Sequence, residues 1–206
     1  MITKIDKLIE TASTRFAHWV NTYRPWHEDN HTTERNLSFQ LAKAFLDLHE
    51  NGIAFMEVPF TVDAEISDYD KKAIKKRSNH LDAYLHADDF DLLVECKNIY
   101  APSHIDSIVK DIERMNQNLI TQLHARYKTK PVRTYGVVFA ETWDRHVADW
   151  WVDNTNSGKR KSWQKEDLKL PAVWKYKKIE VCEDKLDNKQ PETLFWLYGV
   201  SEKELN

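Results

Sequence analysis

The sequence predicts a single α/β domain, spanning residues 1–206, in which helices flank a mixed central sheet. Three observations support this prediction. Stretches with apolar residues at helical spacing are interspersed with short apolar or alternating stretches typical of strands. The 206 residues are enough for one hydrophobic core and short of what two domains usually need. Apolar residues make up 41% and charged residues 31%, which is the balance of a globular protein.

An N-terminal helix is predicted from Lys4 to Tyr23, because apolar residues recur there at helical spacing. Pro25 ends this helix, since proline cannot continue the backbone hydrogen bonds of a helix. A second helix follows, with Thr32 or Thr33 as its cap. Its first turn carries Glu34, which falls on the same stripe as the apolar residues of the helix.

Three strands follow the second helix. The stretch from Ile53 to Val62 is apolar and aromatic, and residues 63–79 are polar and rich in lysine, as in a loop or short insertion. Residues from His80 to His86 and from Phe90 to Lys97 alternate between two sides, as strands do. The short turn between these last two strands predicts a β-hairpin.

After the hairpin, the pattern returns to a helix and then to a strand. Pro102-Ser103 opens a long helix whose apolar residues keep helical period as far as Leu123, and a strand follows from Val132 to Ala140. The order is therefore αβββαβ, in a core of about residues 32–142. A C-terminal elaboration, residues 143–206, contains a short helix at 144–152, a polar loop at 154–168 and strands at 173–182 and 194–200.

Composition and charge exclude several classes of protein. No apolar run approaches the roughly 20 residues that span a bilayer, and the first residues lack the apolar stretch of a signal peptide. Two cysteines, Cys96 and Cys182, provide no disulfide framework and indicate a reducing compartment. We therefore expect a cytoplasmic protein with no membrane partner. Because the net charge is −3, any contact with nucleic acid must come from local basic clusters.

Two strands that should be mostly buried carry charged residues in their middles. Asp82 lies in the first of them, and Glu95 and Lys97 leave the same face of the second. A hairpin can bring Asp82 beside Glu95, and adjacent carboxylates repel each other unless a cation lies between them. Hard oxygen ligands favour Mg²⁺ or Mn²⁺ as that cation. The alternative is a salt-bridged strand pair in which Lys97 extends to solvent.

These residues resemble the motif of the PD-(D/E)XK nuclease superfamily, whose members share the restriction-endonuclease-like fold. The motif stands here as Leu81-Asp82, twelve further residues, and Glu95-Cys96-Lys97, with leucine in place of the family's proline. The αβββαβ core of the family matches the order predicted between residues 32 and 140. The resemblance covers about half of the chain.

The resemblance implies a divalent-metal-dependent enzyme that hydrolyses phosphodiester bonds. Asp82 and Glu95 would hold Mg²⁺ or Mn²⁺ together with the Cys96 backbone carbonyl, and Lys97 would orient the nucleophile. Glu34 takes the place of an acidic residue that often joins the metal site from the first core helix. DNA is expected rather than RNA, in a restriction, repair or mobile-element role, and a homodimer is expected if both strands are cut. The alternative is a nucleic-acid-binding module that keeps the fold without catalysis.

Positive charge is concentrated in a segment just before the predicted hairpin. This basic segment contains Lys71, Lys72, Lys75, Lys76 and Arg77. It is suited to contact the phosphate backbone of a nucleic acid, and a solvated loop is the equal alternative. Among the eight tryptophans, Trp163 lies between basic residues and is the best candidate for stacking on a base.

The segment His27-Glu28-Asp29-Asn30-His31 matches the zinc-protease pattern H-E-x-x-H literally. In those enzymes the motif lies within a helix, so that both histidines bind zinc from one face. Here Pro25 precedes the motif, its two central residues are poor helix formers, and no third ligand is evident. We therefore interpret the segment as an interhelical loop and keep a zinc metalloprotease as a minor alternative.

Overall fold

The computed structural model describes residues 1–23, 33–59, 80–115, 117–130, 132–153, 170–184, 192–201 and 204–205. Within these ranges there are five helices and six strands, which confirms the predicted α/β class. The helices are α1 (Ile2–Tyr23), α2 (Glu34–Leu48), α3 (Ser103–Arg114), α4 (Gln117–Tyr127) and α5 (Arg145–Asp153). The strands are β1 (Ile53–Pro59), β2 (His80–His86), β3 (Phe90–Asn98), β4 (Arg133–Thr142), β5 (Trp174–Asp184) and β6 (Glu192–Ser201).

Several sequence predictions concern residues outside the described ranges. They are the segment from His27 to His31, the end of the first predicted strand at Val62, the loops at 63–79 and 154–168, Trp163, and the basic segment with Lys71, Lys72, Lys75, Lys76 and Arg77.

The six strands form one mixed sheet in the order β1-β2-β3-β4-β6-β5. β2 and β3 pair antiparallel, which confirms the predicted hairpin. β3 and β4 are parallel, and α3 and α4 make the long connection that parallel neighbours require. The last strand in sequence, β6, pairs with β4, so β5 lies at the edge.

Helices cover both faces of the sheet and create two hydrophobic clusters. The first cluster contains the apolar stripes of α1 and α2 and every second side chain of the central strands, for example Val94 and Cys96 of β3. The second lies under α3, α4 and α5 and includes Leu93 from the opposite face of the same strand. β3 is therefore covered on both sides, as its apolar sequence predicted. In the described part of the chain, no helix is long and apolar enough to cross a bilayer.

The predicted long helix after Pro102 is wrong in one respect, because two helices replace it. Met115 leaves the helical conformation with φ −76° and ψ 80°, and its N–H bonds to the carbonyl of Ile112, which ends α3. The apolar stripe nevertheless continues across the break, since Leu119 and Leu123 of α4 are buried in the same cluster as Ile112. The stripe specifies which side of the segment faces the sheet, and it does not require the helix to be continuous.

A buried polar network joins the hairpin to α4. Asp91 is fully buried at the start of β3, and the Tyr84 hydroxyl donates a hydrogen bond of 3.1 Å to its carboxylate. His86 Nδ1 and His124 Nε2 each lie 2.6 Å from a different oxygen of the same carboxylate. The Asp91 carboxylate thus contacts polar groups from both β2 and α4. A buried carboxylate needs such partners.

We expect Asp91→Ala to lower the free energy of unfolding by about 3–5 kcal/mol, because it leaves the buried Tyr84 and the largely buried His86 and His124 without this partner. The measurement is urea denaturation followed by circular dichroism. Asp88→Ala, at an exposed position in the turn of the same hairpin, is the matched control and should change stability by less than about 0.5 kcal/mol. Equal effects of the two substitutions would contradict the importance of the network.

Candidate metal centre

The candidate site lies where β2 and β3 separate. Their paired register runs from His86–Asp91 to Ala83–Val94 and stops there. At the next position the Asp82 carboxylate accepts a hydrogen bond of 2.6 Å from the Cys96 backbone N–H. The Asp82 side chain thus takes the place of a backbone carbonyl as the acceptor for this N–H. The strands are no longer paired here, and side chains from α2 and α3 line the resulting gap.

The neighbouring strand β1 is irregular at Glu57, beside Asp82. Glu57 of β1 has φ 52°, in the left-handed region, and lies between the paired residues Met56 and Val58. The alternation predicted for β2 is wrong here, because Leu81 is buried in the second cluster instead of sharing a face with Ala83. The local irregularity of the backbone at Glu57 and Asp82 is the physical reason why simple alternation fails.

Glu95 and Lys97 both enter this gap from β3. Glu95 is buried, with 2% of its side chain exposed, and Lys97 is 17% exposed. The Lys97 Nζ atom lies 3.9 Å from Glu95 Oε2 and 3.2 Å from Asp111 Oδ2. Lys97 therefore forms the salt bridge of the alternative interpretation, but its ammonium lies among carboxylates instead of extending to solvent.

Glu34 reaches the same group from the first turn of α2. Thr33 caps this helix, its hydroxyl accepting a hydrogen bond of 3.3 Å from the Asn36 N–H, as predicted for one of the two threonines. One Glu34 oxygen accepts a hydrogen bond of 3.3 Å from the Asn98 N–H, and the other lies 4.0 Å from Lys97 Nζ. The four residues that the sequence predicted to act together, Glu34, Asp82, Glu95 and Lys97, are thus adjacent.

Two further charged residues of the site, Asp111 and Arg114 of α3, were not predicted. Asp111 is buried and pairs with both Lys97 and Arg114, and Arg114 also lies 3.4 Å from Glu95 Oε1. The sequence contained a signal for Asp111, since it falls on the apolar stripe three residues after Ile108. A buried acid on an apolar stripe needs a partner. Position on an apolar stripe had also supported the choice of Glu34 on α2, although the Glu34 side chain is 43% exposed.

These side chains line a cleft of about 340 Å³. The residues around it are Glu34, Arg35, Glu57, His80, Asp82, Glu95, Lys97, Ser107, Asp111 and Arg114. Among these described residues, five are carboxylates and three are lysine or arginine, so within this set two negative charges have no matching positive side chain when all are ionised. A single divalent cation would balance this charge.

The surroundings raise the pKa of two carboxyls in the cleft. Burial, followed by the negative charges of Asp111 and Asp82, raises the pKa of Glu95 to about 9. Burial also raises the pKa of Asp82, against the lowering effect of the hydrogen bond from the Cys96 N–H. At neutral pH Glu95 therefore keeps a proton, because burial and the neighbouring carboxylates outweigh the opposing effect of Lys97 and Arg114.

The same surroundings raise the pKa of both Lys97 and Cys96, but for different reasons. Burial alone would lower the pKa of Lys97, but the carboxylates of Asp111, Glu34 and Glu95 together raise it. Lys97 is therefore an ammonium at neutral pH and acts as a cation rather than as a base. Burial raises the pKa of the Cys96 thiol well above its usual value, so its side chain is an inert part of the core.

Among the described residues, no three His, Cys, Asp or Glu side chains are already arranged to hold a metal ion. The Lys97 ammonium lies where the carboxylates of Glu34, Glu95 and Asp111 converge, within 4.0 Å of each. The donors still fit Mg²⁺ or Mn²⁺, because they are all hard oxygens and their charge is incompletely balanced. The Lys97 and Arg114 side chains would have to turn aside for such an ion to enter.

Comparisons of the whole chain with protein-family models, with curated proteins and with solved structures found no match.

Proposed function

We propose that this chain is a Mg²⁺- or Mn²⁺-dependent nuclease of the PD-(D/E)XK type, which hydrolyses the phosphodiester bonds of DNA. The observation that carries the proposal is the convergence of Glu34, Asp82, Glu95 and Lys97 in one cleft at the point where two central strands separate. Among the described residues, the five carboxylates of this cleft outnumber its three lysine and arginine side chains, which favours a bound cation.

The order of elements is a second, independent support. From α2 to β4 the chain runs through one helix, the three antiparallel strands β1, β2 and β3, a helical connection, and a strand parallel to β3. This order agrees with the αβββαβ core of restriction-endonuclease-like proteins. The split of the connecting helix into α3 and α4 leaves the topology unchanged.

The residues of the cleft divide into two roles in this proposal. Asp82, Glu95, Glu34 and the Cys96 backbone carbonyl would hold the metal. The ion would supply the polarisation of the attacking water and the neutralisation of charge on the phosphate. Lys97, kept positive by the surrounding carboxylates, would orient the water and stabilise the negative charge that develops on the phosphate oxygens.

The decisive experiment incubates the purified chain with single- and double-stranded DNA and RNA in Mg²⁺, Mn²⁺ or EDTA. We expect DNA cleavage with either metal, no cleavage in EDTA, and no cleavage by Asp82→Ala. Cleavage that survives this substitution, or the absence of cleavage on every substrate, would reject the proposal.

A non-catalytic nucleic-acid-binding module on the same fold is the second candidate. The observation that favours it is the ion-pair network itself, in which Lys97 and Arg114 already neutralise part of the carboxylate charge without a metal. Titration with Mn²⁺ separates the two candidates. Binding of Mn²⁺ and DNA without turnover identifies the module, and turnover identifies the enzyme.

If the enzyme cuts both strands of a duplex, we expect a homodimer, which sedimentation would detect.

A further inference from the structure

An aromatic pair with one exposed ring, that of Tyr100, lies immediately beside the candidate metal centre. Tyr100 follows the end of β3 by two residues and is 62% exposed, although tyrosine rings usually bury most of their surface. Its ring meets the imidazole of His104, in the first turn of α3, with 4.2 Å between ring centroids and an interplanar angle of 86°. An edge-to-face contact is one of the arrangements that aromatic pairs prefer.

The aromatic pair lines a second cavity that continues from the first. This cavity has a volume of about 340 Å³ and is lined by Tyr100, His104, Asn98, Ser107, Glu34 and Lys97. Glu34, Lys97 and Ser107 also line the cleft of the candidate metal centre. A chain molecule that places a phosphate next to Lys97 would therefore place its adjoining unit against Tyr100.

The chemistry of the second cavity suits a nucleobase better than a phosphate. Among the described residues of its lining, Lys97 is the one lysine or arginine, and it is shared with the cleft that would take the phosphate. An exposed tyrosine ring offers a flat surface for stacking, and Asn98 and Ser107 add polar side chains to the lining.

We propose that the Tyr100 ring, with His104 packed edge-to-face against it, forms a stacking platform for one unpaired nucleobase next to the scissile phosphate. The substrate class is therefore single-stranded nucleic acid, or a duplex whose strand is unpaired at that position. Both faces of a base inside a duplex are covered by its neighbours, so a fully paired strand would have to expose a base first. This inference rests on the proposed function for the position of the phosphate.

The test measures binding in EDTA by the Asp82→Ala variant, so that its result does not depend on cleavage. The probe is a single-stranded DNA oligonucleotide with one 2-aminopurine, whose fluorescence falls when the base stacks. We expect the Asp82→Ala protein to quench the fluorescence of this probe. Adding Tyr100→Ala should abolish the quenching and weaken binding of the oligonucleotide about tenfold. Adding Tyr100→Phe instead should preserve both the quenching and the binding. Binding to a fully paired duplex should change less than twofold.

Phe39→Ala is the matched control, because Phe39 is 57% exposed on α2 and lines neither cavity. It should leave the quenching unchanged. If Tyr100→Ala has no more effect than Phe39→Ala, or if the Asp82→Ala protein does not bind the oligonucleotide, the platform is rejected. Failure of the proposed function would give a different result. If quenching depends on Tyr100 but the wild-type protein never cuts DNA, the stacking platform is supported and the nuclease is rejected.

Discussion

Replacing Lys97 by methionine is expected to reduce DNA cleavage at least a hundredfold while leaving the affinity for Mn²⁺ unchanged or increased. The Lys97 ammonium lies 3.2 Å from Asp111, 3.9 Å from Glu95 and 4.0 Å from Glu34, so it occupies the centre of the carboxylate group. Its removal takes away a cation that competes with the metal. It also takes away the charge that stabilises the transition state on the phosphate, an effect that is large in a buried site.

Both quantities are measured on the same preparation, Mn²⁺ affinity by calorimetry and cleavage by gel electrophoresis of a labelled oligonucleotide. Lys110→Met is the matched control, since Lys110 is exposed on α3, and it should change neither value more than twofold. Cleavage at the wild-type rate by Lys97→Met would exclude a catalytic role for this lysine. Loss of Mn²⁺ binding together with cleavage would mean that Lys97 organises the site and has no specific role in the chemistry.

The stability of the metal-free protein is expected to fall as pH rises from about 5 to about 9, because of Glu95. Burial and the neighbouring carboxylates raise the pKa of Glu95 in the folded protein to about 9, from an ordinary value of 4.5. Between these values the folded protein keeps a proton that the unfolded chain has lost, so unfolding becomes more favourable with pH. One proton corresponds to a slope of at most about 1.4 kcal/mol per pH unit.

Urea denaturation in EDTA at pH 5.5, 7.0 and 8.5 measures this slope. Glu95→Gln should flatten it, because the side chain no longer titrates, and Glu50→Gln, at an exposed position, should leave it unchanged. Adding Mn²⁺ to the wild-type protein should stabilise it most at pH 8.5, since the cation replaces the proton among the carboxylates. If the free energy of unfolding changes with pH in the same way for the wild-type protein and Glu95→Gln, the slope does not come from Glu95.

The hairpin and its charges were predictable from sequence because they depend on local patterns. Apolar alternation identified β2 and β3, and their short separation in the chain made antiparallel pairing the simple outcome. Asp82, Glu95 and Lys97 were then conspicuous as charges in strands that should be buried. The strand order beyond β4 was not predictable, since the patterns of β5 and β6 do not reveal that β6 pairs with β4.

Asp111 and Arg114 show why the partners of a charged residue could not be predicted from the sequence. Their partners Glu95 and Lys97 are 14 or more residues away in sequence, and the contact depends on how α3 packs over the sheet. The same reasoning applies to Asp91, whose partner His124 lies on α4. A buried charge indicates that a partner exists, and only the packing of the elements identifies it.

The central claim is that the carboxylates around Lys97 form a divalent-cation site, and titration of the wild-type protein and Asp82→Asn with Mn²⁺ tests it most directly. Asp82 is the preferred residue to change, because its substitution by asparagine keeps the acceptor for the Cys96 N–H while removing one negative charge. We predict saturable Mn²⁺ binding to the wild-type protein and at least tenfold weaker binding to the variant. Absence of Mn²⁺ binding to the wild-type protein, or equal affinity of the two proteins, would contradict the claim.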